Sequence, residues 1–141
     1  MRIMLDTNVI ISGVAFAGNE RKLLNAIYSN SVTLVLSDYI LLEAREVLER
    51  KFPGKETLLE EFTSLFQVEI ATKPSMKDIN EARSIIRDQK DAIILATAIK
   101  TKPDIFVSGD FDFHTSTITS LINVMHSKEA VALIIFHNKR N

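Results

Sequence analysis

Acidic residues follow two apolar runs of the chain at the points where each run ends. Asp6 comes directly after the run at 3–5, and Asp110 and Asp112 come after the run at 105–107 and a Ser-Gly turn. In an open parallel sheet, functional groups gather just beyond the carboxyl ends of the strands. If these two strands are neighbours, the three carboxylates converge. Each aspartate taken alone is equally typical of a helix cap or a turn.

Two further acids are predicted to belong to the same cluster. Asp91 opens the apolar segment 92–99, where the positive end of a helix dipole favours a carboxylate. Glu43 lies in the predicted helix 38–52, whose apolar residues recur at three- and four-residue spacing. At 100° per residue, Glu43 is placed at the flank of this apolar stripe, where it can face a cleft. Alone, it is also typical of a boundary glutamate whose stem packs and whose head reaches water.

Five carboxylates at close range cannot all stay ionised without a counter-charge. Hard divalent cations supply this charge, and Mg²⁺ or Mn²⁺ prefers oxygen ligands. Ions held by carboxylates can activate a water molecule and stabilise the transition state of phosphoryl transfer. The acidic residues therefore predict a metal-dependent phosphodiesterase.

The spacing of apolar residues predicts a chain that alternates between strands and helices. The capped start at Ser127 favours a helix over 127–136, although the segment 131–136 alone is equally compatible with a strand. Strands separated by helices predict an α/β fold, a three-layer α/β/α arrangement with a central, mostly parallel sheet, in a single domain over 1–141. Strands are predicted at 3–5, 31–36, 68–71 and 105–107, and helices at 20–28, 38–52, 55–66, 75–87 and 91–100.

Composition excludes several classes of protein. The 141 residues are 46% hydrophobic and include 4 Gly and 3 Pro, so the chain is not disordered or collagen-like. The absence of cysteine excludes disulfides, thiolate zinc sites and cysteine nucleophiles. No apolar run is long enough to cross a membrane, and Asp6 interrupts any secretory signal, so a cytoplasmic location is expected. The formal net charge of −1 gives no bulk electrostatic argument for nucleic-acid binding.

The four acidic motifs, in this order, resemble the PIN-domain family of metal-dependent ribonucleases. That family includes the VapC-like toxins of toxin-antitoxin pairs. The resemblance spans nearly the whole chain, and each acidic position of the family pattern is present. The matching segments are LDTNV at 5–9, LEAREVL at 42–48, KDA at 90–92 and SGDFDF at 108–113.

The resemblance implies a function and a role for each site residue. It implies cleavage of single-stranded or loop RNA with Mg²⁺ or Mn²⁺, leaving a 5′ phosphate. It also implies a homodimer and, for the toxin branch, inhibition by a cognate antitoxin protein. By similarity, the catalytic residues are Asp6, Glu43, Asp91 and Asp110, the metal ligands are Asp6, Asp91, Asp110 and Asp112, and the supporting residues are Asn8 and Ser108.

Three other interpretations remain open at this point. One is a catalytically weak PIN-like scaffold that binds RNA or a partner protein. Another is a haloacid dehalogenase-type enzyme, although Asn8 stands where that type has its second aspartate. The third is a phospho-receiver domain, whose paired acids usually sit together after the first strand. The histidines lack close metal-ligand spacing and are expected to be surface or packing residues: His114, His126 and His137.

Overall fold

A parallel five-stranded sheet forms the centre of the fold in the computed structural model, which describes residues 1–140. Its order is β3-β2-β1-β4-β5, and every strand pair is parallel. The predicted parallel sheet is therefore confirmed. The short strand β5 was not predicted, because two residues carry no periodicity. The strands are β1 (Arg2–Leu5), β2 (Thr33–Leu36), β3 (Gln67–Ile70), β4 (Ile105–Val107) and β5 (Val124–Met125).

Helices cover both faces of this sheet. Right-handed connections place the helices that follow β1 and β2 on one face and those that follow β3 and β4 on the other. The contacts agree, since α1 packs on α2 and α3, α2 packs on α8, and α5 packs on α6. Across the described chain, no helix is both long and apolar enough to cross a bilayer. The helices are α1 (Thr7–Ala15), α2 (Asn19–Ser29), α3 (Asp38–Lys51), α4 (Glu56–Leu65), α5 (Met76–Arg83), α6 (Gln89–Thr101), α7 (Ser116–Thr119) and α8 (Ser127–Arg140), and a 3₁₀ turn covers Phe111–Phe113.

Helix α1 is absent from the sequence prediction, whereas α8 was predicted. Most residues of α1 are buried, so it has no polar face to reveal a helical period. At Gly13, an added Cβ would lie 2.6 Å from Cδ1 of Leu24, so glycine permits the close packing of α1 on α2. The favoured helix at 127–136 is confirmed by α8, and the strand alternative is wrong.

The core lies around β1 and β4, the two strands whose ends carry the predicted acids. Both strands are buried along nearly their whole length, and Leu5 is in register with Val107. Phe106 of β4 packs edge-on against Phe113 at a centroid distance of 5.1 Å. Because Phe113 is itself fully buried, it anchors the 3₁₀ turn to the sheet. The ends of β1 and β4 are thus rigidly positioned side by side.

Candidate active site

The predicted acids lie at the point where the strand order of the sheet changes direction. The chain proceeds from β1 outward to β2 and β3, and then crosses to β4 on the other side of β1. The crevice outside the strand ends at such a point is the usual ligand site of an open α/β sheet. Asp6 follows β1, and the segment from Ser108 to Asp112 follows β4. The predicted convergence of these two strand ends is confirmed.

Asp6 is buried, with 5% of its surface exposed, and it caps helix α1. Its Oδ1 accepts a hydrogen bond from the Thr7 backbone N–H at 2.8 Å, and its Oδ2 accepts one from Ser108 Oγ at 2.8 Å. Burial raises the pKa of Asp6, and the nearby charges of Asp110 and Glu43 raise it further, whereas the two hydrogen bonds lower it. The two hydrogen bonds fix the orientation of the carboxylate, and a nearby cation would stabilise its ionised form.

Ser108 links the two strand ends through one hydroxyl. Its side chain is fully buried, donates to Asp6, and accepts a hydrogen bond from the backbone N–H of Asp110 at 3.1 Å. The carbonyl oxygen of Ser108 accepts a hydrogen bond of 2.7 Å from Nε2 of His114. Ser108 therefore positions Asp6 and the start of the 3₁₀ turn relative to one another.

Three carboxylates approach one another closely at this edge of the sheet. Asp91, Asp110 and Asp112 each offer an oxygen, and these oxygens all lie within 4.8 Å of one another. Oδ1 of Asp110 accepts from the backbone N–H of Asp112 at 2.9 Å, which orients the pair. Burial, followed by the charges of Asp88, Asp6, Asp110 and Asp112, raises the pKa of Asp91 to about 7. We refer to Asp91, Asp110 and Asp112 as the acidic triad.

Glu43 projects from α3 toward the same region. It lines a cavity of about 230 Å³ together with Asp6 and Asp91, and 19% of its side chain is exposed. Its Oε2 lies 3.5 Å from the hydroxyl of Tyr39 and 3.6 Å from Nζ of Lys90. Burial and the Glu43 charge raise the pKa of Tyr39 to about 12, so its hydroxyl remains a donor. The structure thus brings Glu43 beside Asp6 and Asp91.

Asn8 is exposed on α1 and lies at the boundary between two cavities. It borders the cavity lined by Asp6 and Glu43 and a second cavity of about 460 Å³ that Asp110 also lines. Every site residue predicted from the sequence therefore lies at this edge of the sheet. The smaller cavity gives access to Asp6, Glu43 and Asp91, and the larger one gives access to Asp110.

Three further residues of the cavity beside Asp6 were missed in the sequence analysis. Asp88 caps α6 by accepting from the backbone N–H of Asp91 at 3.0 Å, and the Asp-x-x-Asp spacing before an apolar run was the available signal. Lys90 supplies a cation beside Glu43. Thr7 is buried, and its hydroxyl has no hydrogen-bond partner within residues 1–140. A threonine hydroxyl carries no distinctive sequence pattern.

The donor set fits a hard divalent cation. The triad and Asp6 provide carboxylate oxygens, which Mg²⁺ and Mn²⁺ prefer to nitrogen or sulfur. Burial raises the pKa values of Asp6 and Asp91, and the charges of neighbouring carboxylates raise them further, so a cation at this site would stabilise the ionised acids. Thr7 also leaves a buried hydroxyl available to a ligand beside Asp6. Mutual repulsion is relieved when a cation binds between such groups.

Replacing Ser108 with Ala is expected to weaken Mn²⁺ binding by about 10- to 100-fold. The substitution removes the hydroxyl that donates to buried Asp6 and leaves its carboxylate less stable in the charged form. Isothermal titration with Mn²⁺ measures the change. Ser108→Thr keeps the hydroxyl and serves as the control, with affinity near that of the native protein. Equal Mn²⁺ affinity in the alanine variant would contradict the role given to Ser108.

Comparisons with known proteins agree with this architecture. VapBC2 from Rickettsia felis, solved bound to a DNA fragment from their promoter, matches with a TM-score of 0.68 and 19% identity over 89% of this chain and 98% of that chain. FitAcB from Neisseria gonorrhoeae matches with a TM-score of 0.62 and 20% identity over 89% and 98%. VapC20 from Mycobacterium tuberculosis, a sarcin-ricin loop cleaving toxin, matches with a TM-score of 0.55 and 15% identity over 79% and 92%. At these identities the matches show a shared fold.

A comparison of the sequence with protein-family models identifies the family. A family model of the PIN domain matches residues 2–112, whereas a search of curated proteins found no match. The matched region begins in β1 and ends at Asp112, so it contains every acid that lines the candidate site. Fold and sequence match agree, and the chain belongs to the PIN domain family.

Proposed function

We propose that this protein is a metal-dependent endoribonuclease that hydrolyses RNA phosphodiester bonds. Its catalytic residues are Asp6, Glu43, Asp91 and Asp110, and Asp112 is a further metal ligand. The observation that carries the proposal is the convergence of the acidic triad within 4.8 Å at the edge of a PIN-domain sheet. Buried Asp6 lies beside the triad, since its charge raises the pKa of Asp91.

Asp6, Asp91, Asp110 and Asp112 would hold Mg²⁺ or Mn²⁺. When bound, the ion lowers the pKa of a water molecule and stabilises the charge that develops on the phosphate. The oxygen-only donor set and the surplus of negative charge support this choice of ion.

The other residues of the site orient the reacting groups. Ser108 keeps Asp6 in a fixed orientation through its 2.8 Å hydrogen bond. Glu43, held near Tyr39 and Lys90, either ligates a metal or orients the attacking water. The leaving group is the 3′ oxygen, so cleavage gives a 5′ phosphate and a free 3′ hydroxyl. Lys90, with 72% of its side chain exposed, is available to pair with the RNA backbone.

We further propose that the nuclease is the toxin of a toxin-antitoxin pair and acts in the cytoplasm as a homodimer. The fold shared with VapBC2, FitAcB and the toxin VapC20 supports a cognate antitoxin. Exposed apolar side chains on α3 and α4, among them Leu42 and Leu65, support an interface with a second copy.

Purified protein is expected to cleave RNA in Mg²⁺ or Mn²⁺ and to lose this activity in EDTA. The measurement uses a panel of single-stranded and hairpin RNAs, with the product ends tested for a 5′ phosphate. A DNA panel of the same sequences is the control for substrate class. RNA binding without cleavage of any member would contradict the proposed activity and favour the alternative of a catalytically weak scaffold.

A further inference from the structure

An exposed aromatic side chain lies between two acids of the triad. Phe111 is the residue between Asp110 and Asp112, and 81% of its surface is exposed. Phe113, two residues later, is fully buried against Phe106. The turn is therefore fixed by one phenylalanine while it presents the other to solvent. With so much of its surface exposed, the Phe111 ring contributes little to the packing of the turn.

The Phe111 ring contacts a stacked pair of histidines. The ring of His126 meets it edge-on at a centroid distance of 6.4 Å, and His126 stacks on His114 at 4.0 Å with an interplanar angle of 5°. His114 is tied to the end of β4, because its Nε2 donates to the Ser108 carbonyl at 2.7 Å. The exposed ring is thus connected through two imidazoles to the residue that positions Asp6. The edge-on contact with His126 favours some orientations of the Phe111 ring over others.

The stack borders a polar cavity that leads to the acids. This cavity of about 460 Å³ is lined mainly by polar residues, among them His126, Lys128, the acids Glu20 and Asp110, Ser12 and Asn19. Its volume lies within the range of small-ligand sites. Lys128 offers a cation, and the serine and asparagine offer hydrogen-bond donors and acceptors. The lining is therefore suited to a polar ligand with a planar group, with the cation of Lys128 available to a phosphate.

We propose that Phe111 and this cavity form a nucleotide subsite in which an RNA base next to the cleaved bond stacks on the Phe111 ring. Unpaired bases are commonly held by stacking on aromatic side chains. Lys128 pairs with a neighbouring phosphate, and Asn19 bonds to a base edge. The inference rests on the proposed ribonuclease function and adds to it a residue, Phe111, that binds the substrate beside the cleaved bond.

Protein docking fits the same surface less well. An apolar anchor from a partner protein favours an apolar pocket, whereas the cavity that His126 lines beside Phe111 is bordered mainly by polar and charged residues, among them Lys128, Asp110 and Glu20. The position of Phe111 within the acidic motif also places any stacked group next to the proposed site of cleavage.

Steady-state cleavage of a single-stranded RNA by matched variants tests the subsite. Phe111→Ala is expected to raise KM about 10-fold with kcat within about twofold of the native value, because base stacking contributes binding. Phe111→Trp restores KM, since its larger ring also stacks. Phe136→Ala is the control, because Phe136 is 56% exposed on the last turns of α8 and lies away from the site. The fluorescence of an RNA that carries 2-aminopurine reports stacking directly.

The outcomes separate the subsite from the proposed activity. An unchanged KM for Phe111→Ala in a protein that cleaves RNA would overturn the subsite and leave the nuclease in place. RNA binding that depends on Phe111, without cleavage by the native protein, would support the subsite and contradict the activity. A Phe111→Ala variant with native KM and a lower mass by light scattering would make Phe111 a protein contact and overturn the subsite. A native protein that neither binds nor cleaves RNA would overturn both.

Discussion

Asp6→Asn and Asp110→Asn are each expected to lower metal-dependent RNA cleavage by at least about 10³-fold. Each substitution removes a charge from the ligand set while the side chain keeps nearly the same size. Asn Oδ1 can still accept from the backbone N–H of Thr7 in one variant and from that of Asp112 in the other. In Asp6→Asn, however, an amide nitrogen replaces Oδ2 and no longer accepts from Ser108 Oγ, so this variant also loses that hydrogen bond. Cleavage rates under single-turnover conditions measure the loss.

Glu46→Gln is the matched control for these two variants. Glu46 is exposed on α3, on a side that points well away from the apolar stripe of the helix, and it lies outside the cavity that Glu43 lines. Its substitution removes one negative charge and is expected to leave the rate within about twofold, since exposed charges far from a site act weakly. Circular dichroism establishes that all three variants are folded. A folded Asp110→Asn protein that cleaves at the native rate would exclude the site assignment.

Asp91→Asn is expected to make the metal-free protein more stable at pH 8, although it removes a catalytic residue. Burial and the surrounding acids raise the pKa of Asp91 to about 7, so above that pH the folded protein carries a charge that its neighbours repel. After allowance for solvent screening at this partly exposed site, the gain in the free energy of unfolding is about 1 to 2 kcal/mol. Urea denaturation in EDTA measures it.

The pH dependence of this gain in stability follows from the raised pKa of Asp91. Between pH 4 and pH 7, the folded protein holds a proton on Asp91 that the unfolded chain has released, so the native protein loses stability as pH rises through about 7. Below about pH 4, Asp91 is protonated in both states, and the difference between the variant and the native protein should disappear.

Two further measurements test whether repulsion between the acids causes this difference in stability. Saturating Mg²⁺ should reduce the difference in stability at pH 8, because the cation binds the native folded protein more tightly than the variant. Glu61→Gln removes an exposed charge of α4 and is expected to change stability little at either pH. Equal stability of Asp91→Asn and the native protein at pH 8 in EDTA would show that the acids do not repel one another appreciably.

The alternating pattern of the sequence was enough to predict the fold class. Strands such as 105–107 are short apolar runs bounded by turn residues, and helices such as α3 carry an apolar stripe, so local periodicity identifies both. Helix α1 was missed, because burial on most sides removes the polar face from which periodicity is read. Periodicity likewise left the choice between helix and strand open at 127–136, where α8 lies.

The identities of the acids were also determined by the sequence, because carboxylates at strand ends and helix starts are local features. Whether these acids come together depends on the order of the strands, and that order is set by contacts between residues far apart in the chain. Only the tertiary structure places β4 beside β1, so that Ser108 bonds to Asp6 across 102 positions of sequence. It also decides that Phe111 faces solvent while Phe113 is buried, and that His126 stacks on His114. Packing against the rest of the fold, and not residue type, makes these distinctions.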